Sequence, residues 1–172
     1  MVFPPGRYVS GTIHLRSGVT LHLEAGAWLI GTTNLAHYAQ PTPPAFMPEA
    51  EWGKWHRGFI VGENVEDVAI TGSGTIDGNK VFDPTGEERM RGPHTIIFVN
   101  CRRFTLRDVT IVDAANYAIF FQVSDDVEIR ILVLDLARFS RTRTRTRRKP
   151  EYWFLPPPLL LHLQERAREV YT

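Results

Sequence analysis

The sequence predicts an all-β chain wound as a right-handed parallel β-helix, an incomplete solenoid that ends in an irregular or partly helical C-terminal tail. Three observations predict this. Apolar residues recur with period two in short runs, the mark of strands with one buried face. The runs share one pattern: two polar residues, then Val or Phe, any residue, then Leu or Ile. The pattern returns at intervals that suit stacked coils, each of which buries its inward face only against the next.

The first run, "VTLHLEAG", sends Val19, Leu21 and Leu23 one way and Thr20, His22 and Glu24 the other. The stretch from Thr32 to Arg57 is polar and Pro-rich and reads as a surface loop. "DVAITGSG" resumes the alternation with Val68 and Ile70. Gly72, Gly74 and Gly78 in "GSGTIDGN" are expected at tight backbone corners; no helix follows them, so they offer an anion no helix N-terminus. "RFTLRDVTIVDA" places Phe104, Leu106, Val109 and Ile111 inward, and "DVEIRI" closes the series with Val127, Ile129 and Ile131. From Phe104 to Val127 the spacing is 23 residues, enough for three short strands and three turns. From Val68 to Phe104 it is 36, with the polar insertion "NKVFDPTGEERMRG" absorbing the excess. From Val19 to Val68 it is 49, read as roughly two coils. A β-sandwich would use similar strands but needs no recurring motif.

The composition, 43% hydrophobic and 23% charged over 172 residues, suits a single globular domain. The net charge of +1 hides an asymmetry. Residues 1–130 hold 11 basic and 15 acidic side chains, whereas residues 131–172 hold 9 and 4. Cys101 is alone, which excludes an intrachain disulfide and a Cys-cluster zinc site and suits a small core residue. No run is long enough to span a bilayer. "MVFPPGRYVSG" lacks the regions of a signal peptide and reads like the interior of a domain, with the native N-terminus expected upstream.

The solenoid is assigned to residues 1–131 and a tail to residues 132–172. The Arg/Thr run "RFSRTRTRTRRKP" and then "PPPLLLHLQERAREV" break with all that precedes them. The expectation is an out-of-frame or otherwise aberrant ending. The alternative is a native cap, in which "LLLHLQERAREV" forms a short amphipathic helix over the last coil.

At "VFPPGRYVSGTIHLRSGVTLHLEAGAWLIGT", and again at "ITGSGTIDGN", the chain resembles the right-handed β-helix enzymes that degrade pectin. The nearest resemblance is to family 28 of the glycoside hydrolases, the polygalacturonases and their relatives. "GPHTIIFVNCRRFTLRDVTIVDAANYAIFFQVSDDVEIR" continues it, with an aromatic-centred strand from Tyr117 to Gln122. The likeness covers roughly Val2 to Arg130 and lies in the order of several segments rather than in one motif. It departs at "RGPH", where many relatives have Arg and Pro adjacent.

The resemblance implies hydrolysis of glycosidic bonds in a pectin-type or related polysaccharide. It also implies where catalytic carboxylates would stand: on an Asn-Thr-Asp strand and an Asp-Asp pair in the next coil, followed by Gly-His-Gly and Arg-Ile-Lys segments. None of these is found. Asp125 and Asp126 precede Val127 as "ED" precedes Val68, so they are read as solvated turn residues. An inverting glycosidase needs an acid and a base about 6.5–9.5 Å apart, and one coil cannot supply both. No catalytic residue is therefore assigned, and the chain is expected to be inactive. His94, Asn116 and Tyr117 are the candidate sugar contacts, because they border the strand before the expected catalytic coil. Trp52 and Trp55 could stack on a sugar or simply pack their loop onto the coil.

The expected partner is a polysaccharide or oligosaccharide, bound by a monomer, with no cofactor, metal, nucleic acid or membrane. Competing readings are a non-catalytic carbohydrate-binding or adhesive β-helix, and a polysaccharide lyase, for which no calcium-binding acidic cluster is seen. A nucleic-acid-binding role for "RTRTRTRR" lacks interleaved aromatics for base stacking. The compartment is left open; many relatives are extracellular or periplasmic.

Overall fold

The computed structural model describes residues 1–43, 57–84, 92–130 and 133–135, the last three as backbone. Twelve strands and one short 3₁₀ helix, Leu35–His37, are described. The strands are β1 (Val2–Phe3), β2 (Gly6–Ser10), β3 (Ile13–His14), β4 (Thr20–Leu23), β5 (Ala27–Gly31) and β6 (Gly58–Gly72). They continue with β7 (Thr75–Asp77), β8 (His94–Arg107), β9 (Thr110–Val112), β10 (Ile119–Gln122), β11 (Asp125–Arg130) and β12 (Val133–Asp135). Every strand-to-strand ladder among them is parallel. The described residues form a right-handed parallel β-helix.

The two longest strands each turn a corner. β6 pairs with β3 along its first half and with β4 along its second; β8 pairs likewise with β10 and then β11. The break in β6 falls at Asn64 and Asp67, with φ of 52° and 57°, and in β8 at Asn100 and Arg103, with φ of 54° and 53°. Residues in the left-handed region swing the chain from one face of the coil to the next. Each coil thus has three faces. The first holds β3, the starts of β6 and β8, and β10. The second holds β1, β4, the ends of β6 and β8, and β11. The third holds β2, β5, β7, β9 and β12.

This explains the recurring pattern in the sequence. The second polar residue of each copy is the corner itself: Gly18, Asp67, Arg103 and Asp126 all have positive φ. The Val or Phe that follows opens the inward side of the second face. Val68, Phe104 and Val127 share one register position, and Leu21, Ile70, Leu106 and Ile129 share the next. Stacked this way they form the core, where Leu21, Ile70, Phe104 and Leu106 are wholly buried. Phe98, Phe104 and Phe121 close the core between the last coils, their ring centroids 4.5–5.7 Å apart. Cys101 is buried, and burial pushes its thiol up to about 11. Gly72 is required at its corner: φ is +110°, and a Cβ there would lie 2.0 Å from the Leu23 carbonyl oxygen.

Two features differ from the sequence reading. The 49-residue interval is one coil, not two, because Thr20 pairs directly with Ala69. The excess lies in the excursion between β5 and β6, which includes the 3₁₀ turn and an antiparallel bridge from Ala39 to Gly58. The solenoid also runs past Ile131. β12 pairs with β9 in register, from Val133 with Thr110 to Asp135 with Val112. Third-face strands of three residues carry too little alternation to be seen in sequence. The Arg/Thr run and the Pro/Leu-rich segment lie outside the described residues, as do Trp52 and Trp55.

Candidate functional site

The first face differs from the others in that its outward side is also apolar. Val61, Ile97 and Phe120 stand in one register row, and Glu63, Val99 and Gln122 in another. Val61, Ile97 and Val99 are buried and form a cluster of their own with Phe120, separate from the inner core. Strands apolar on both sides lose the alternation that marks a half-exposed sheet.

At the entry to this face the turns bring the sequence-predicted residues together. Tyr117 follows the register of β10 onto His94, and the backbone confirms it: Thr95 N–H donates to the Tyr117 carbonyl at 3.0 Å. The two rings stack at 5.4 Å, 10° from parallel. Phe120 completes a three-ring cluster, 5.1 Å from the His94 ring and 6.0 Å from that of Tyr117, all within 26° of parallel. His94 is wholly buried, whereas Tyr117 is half-buried. Asn116 shapes the turn. Its Oδ1 accepts from the Tyr117 N–H at 3.0 Å, and its Nδ2 donates to the Gly92 carbonyl at 3.2 Å.

A charged pair borders the stack. The Arg57 carbonyl accepts from the His94 N–H at 2.8 Å, which ties the two coils at this point. Its guanidinium donates to the Leu35 carbonyl at 3.0 Å and lies 4.0 Å from Asp83, which is buried. Behind them Tyr38 packs edge-on against Phe59, and burial pushes its hydroxyl up to about 12. The sequence reading missed Phe120, Arg57 and Asp83. Phe120 was detectable: in "YAIFFQ" the neighbours Ile119 and Phe121 pack on the core, which sends Phe120 outward.

The arrangement offers an aromatic wall with one amphipathic member, suited to a ligand with both apolar and hydroxyl faces. Among the described residues the two outward rows hold no pair of carboxylates. Of the six outward positions in the two rows above, only Glu63 is a carboxylate, and its Oε1 accepts from the Thr42 N–H at 2.6 Å. Asp125 and Asp126 are exposed at the corner before the second face. Among the described residues no group of three or more His, Cys, Asp or Glu is placed to hold a metal ion. Nor is any helix among them long and apolar enough to cross a membrane.

Comparison with known proteins agrees with this architecture. A protein of Parabacteroides merdae assigned as a glycosyl hydrolase superposes with a TM-score of 0.61 at 23% identity, over 77% of this chain and 58% of its own. The family 28 exopolygalacturonase of Yersinia enterocolitica gives 0.54 at 19% identity, over 78% of this chain and 33% of its own. The polygalacturonase of Erwinia carotovora ssp. carotovora gives 0.55 at 20% identity, over 77% and 40%. The chain therefore spans about a third to three-fifths of the length of these structures. No curated protein matches it significantly. The sequence model of glycosyl hydrolases family 28 matches residues 6–142, most of the 172, and the chain belongs to that family.

Proposed function

We propose that the chain forms substrate-cradling coils of a glycoside hydrolase that cleaves pectin-type polysaccharide, and that the acid and base of the reaction are not among its residues. The observation that carries this reading is the stack at the entry of the first face. Tyr117 is half-buried and the member of the stack that carries a hydroxyl, and it is taken as the sugar contact. His94, fully buried beneath it, and Asn116, bonded to its backbone, are positioning residues.

Hydrolysis with inversion needs one carboxylic acid on the leaving oxygen and one carboxylate on water, at about 6.5–9.5 Å. Among the described residues, the single carboxylate in the two outward rows of the first face, Glu63, supports reading that pair as incomplete. The same observation favours a second reading, a β-helix that holds polysaccharide without turning it over. Binding of a galacturonic-acid oligomer, followed by first-face amide resonances, tests the assignment. Tyr117→Ala is expected to weaken binding about tenfold, and Asn116→Ala to weaken it less. Unchanged affinity in Tyr117→Ala with the fold intact would overturn the assignment.

A further inference from the structure

We propose that the outward side of the second face is a separate binding site for the carboxylate groups of an acidic oligosaccharide. A groove of about 510 Å³ lies there, lined by Thr20, Thr71, Thr105, Arg107, Glu128 and Arg130 around the small Ala69. That volume falls within the roughly 300–1,000 Å³ of ligand clefts.

The parallel register fixes two rows along the solenoid. One runs Thr20, Ala69, Thr105, Glu128; the other runs His22, Thr71, Arg107, Arg130. The groove opens where Ala69 interrupts the larger side chains of the first row. In the second row Arg107 stands directly opposite Arg130. Strands in a sheet lie about 4.8 Å apart, and like charges facing each other across that gap destabilise the pair. Glu128 offsets one of them: its Oε1 lies 2.9 Å from the Arg130 Nε, which leaves the Nη groups of Arg130 for a second acceptor. The Arg107 side chain makes no hydrogen bond or ion pair among the described residues.

An anion seated between the two guanidinium groups removes their repulsion and gains charge-assisted hydrogen bonds, and a carboxylate matches the fork of Arg in a bidentate way. The threonine hydroxyls both donate and accept, as a polyhydroxyl ligand requires. The groove has no aromatic ring, so it lacks the stacking platform that single-stranded nucleic acid uses. The anionic part of the proposal rests on the two arginines; the saccharide part rests on the functional reading above.

The test uses the full 172-residue chain and follows the amide resonances of residues 104–107 and 127–130. The probes are a galacturonic-acid oligomer, its methyl ester and inorganic phosphate. The oligomer is expected to shift these resonances saturably. Arg107→Gln should weaken that titration about tenfold, the loss of one charge-assisted hydrogen bond. The methyl ester should bind correspondingly less well, and Tyr117→Ala should leave the titration in place. Four results would each overturn the proposal: silent second-face resonances, an affinity indifferent to Arg107→Gln and Arg130→Gln, equal binding of the ester, or phosphate binding as tightly as the oligomer. First-face shifts with a silent second face would overturn this site alone and leave the functional reading standing.

Discussion

Replacing Val123 by Asn is expected to stabilise the solenoid. The corner between the first and second faces repeats in three stacked coils, at Asn64, Asn100 and Val123, with φ of 52°, 54° and 53°. Two of the three are Asn, a residue that tolerates the left-handed region, and they form a ladder: Asn100 Nδ2 donates to Asn64 Oδ1 at 2.7 Å. The third is β-branched, for which that conformation costs about 1–3 kcal/mol. Val123 is 48% exposed, so its side chain contributes at most about 1 kcal/mol of burial. Asn removes most of the strain and adds a hydrogen bond to Asn100 worth about 0.5–1.5 kcal/mol. The balance is a gain of about 1–2 kcal/mol. In urea, with a slope of about 2 kcal/mol/M, the midpoint should rise by about 0.5–1 M. Val123→Gly supplies the backbone relief without the ladder and should fall short of Val123→Asn. A Val123→Asn chain no more stable than the original would refute the reasoning about the corner.

Other consequences are as direct. Phe104→Ala removes the ring at the centre of the Phe98–Phe104–Phe121 cluster and should cost about 3–5 kcal/mol by chemical denaturation, with no compensating collapse in so large a ring cluster. Gly72→Ala should destabilise strongly, because the added Cβ meets the Leu23 carbonyl and L residues rarely adopt its φ. Burial raises both the Cys101 thiol, to about 11, and the Tyr38 hydroxyl, to about 12. Each group is neutral in the fold where the unfolded chain has begun to ionise, so stability is full below their ordinary values and falls as pH rises toward 11 and 12. The native thiol should accordingly resist iodoacetamide at neutral pH and react once the chain is unfolded.

The second face was legible in the sequence because it is the half-exposed one. Its alternation is clean, and the polar pair before each Val or Phe is the corner that sets the register. The first face was read less well. "GFIVG" and "HTIIFV" are apolar on both sides, with Val61, Ile97 and Val99 facing outward and still buried. Period two cannot appear there. The 49-residue interval misled because an excursion adds residues to a coil without adding a coil, and sequence spacing does not separate the two. Within the candidate site, His94 and Tyr117 were singled out because they border the strand before the expected catalytic coil; that their rings stack follows from the register, which sequence alone does not give. Arg57 and Asp83 come from turns, where no period places them. Nothing in the sequence singles out Arg107 and Arg130; only the pairing of β11 with β8 shows that they stand opposite each other.

The most direct test of the account is the release of reducing ends from polygalacturonate by the purified 172-residue chain, set beside its binding of the same polymer. The account predicts binding that depends on Tyr117 and no release above the uncatalysed rate, because acid–base assistance alone is worth about 10²–10⁴-fold and the proposal places both groups outside this chain. Release that co-purifies with the chain and disappears in Glu63→Gln or Asp83→Asn would contradict it, since a working carboxylate pair would then lie among the residues described.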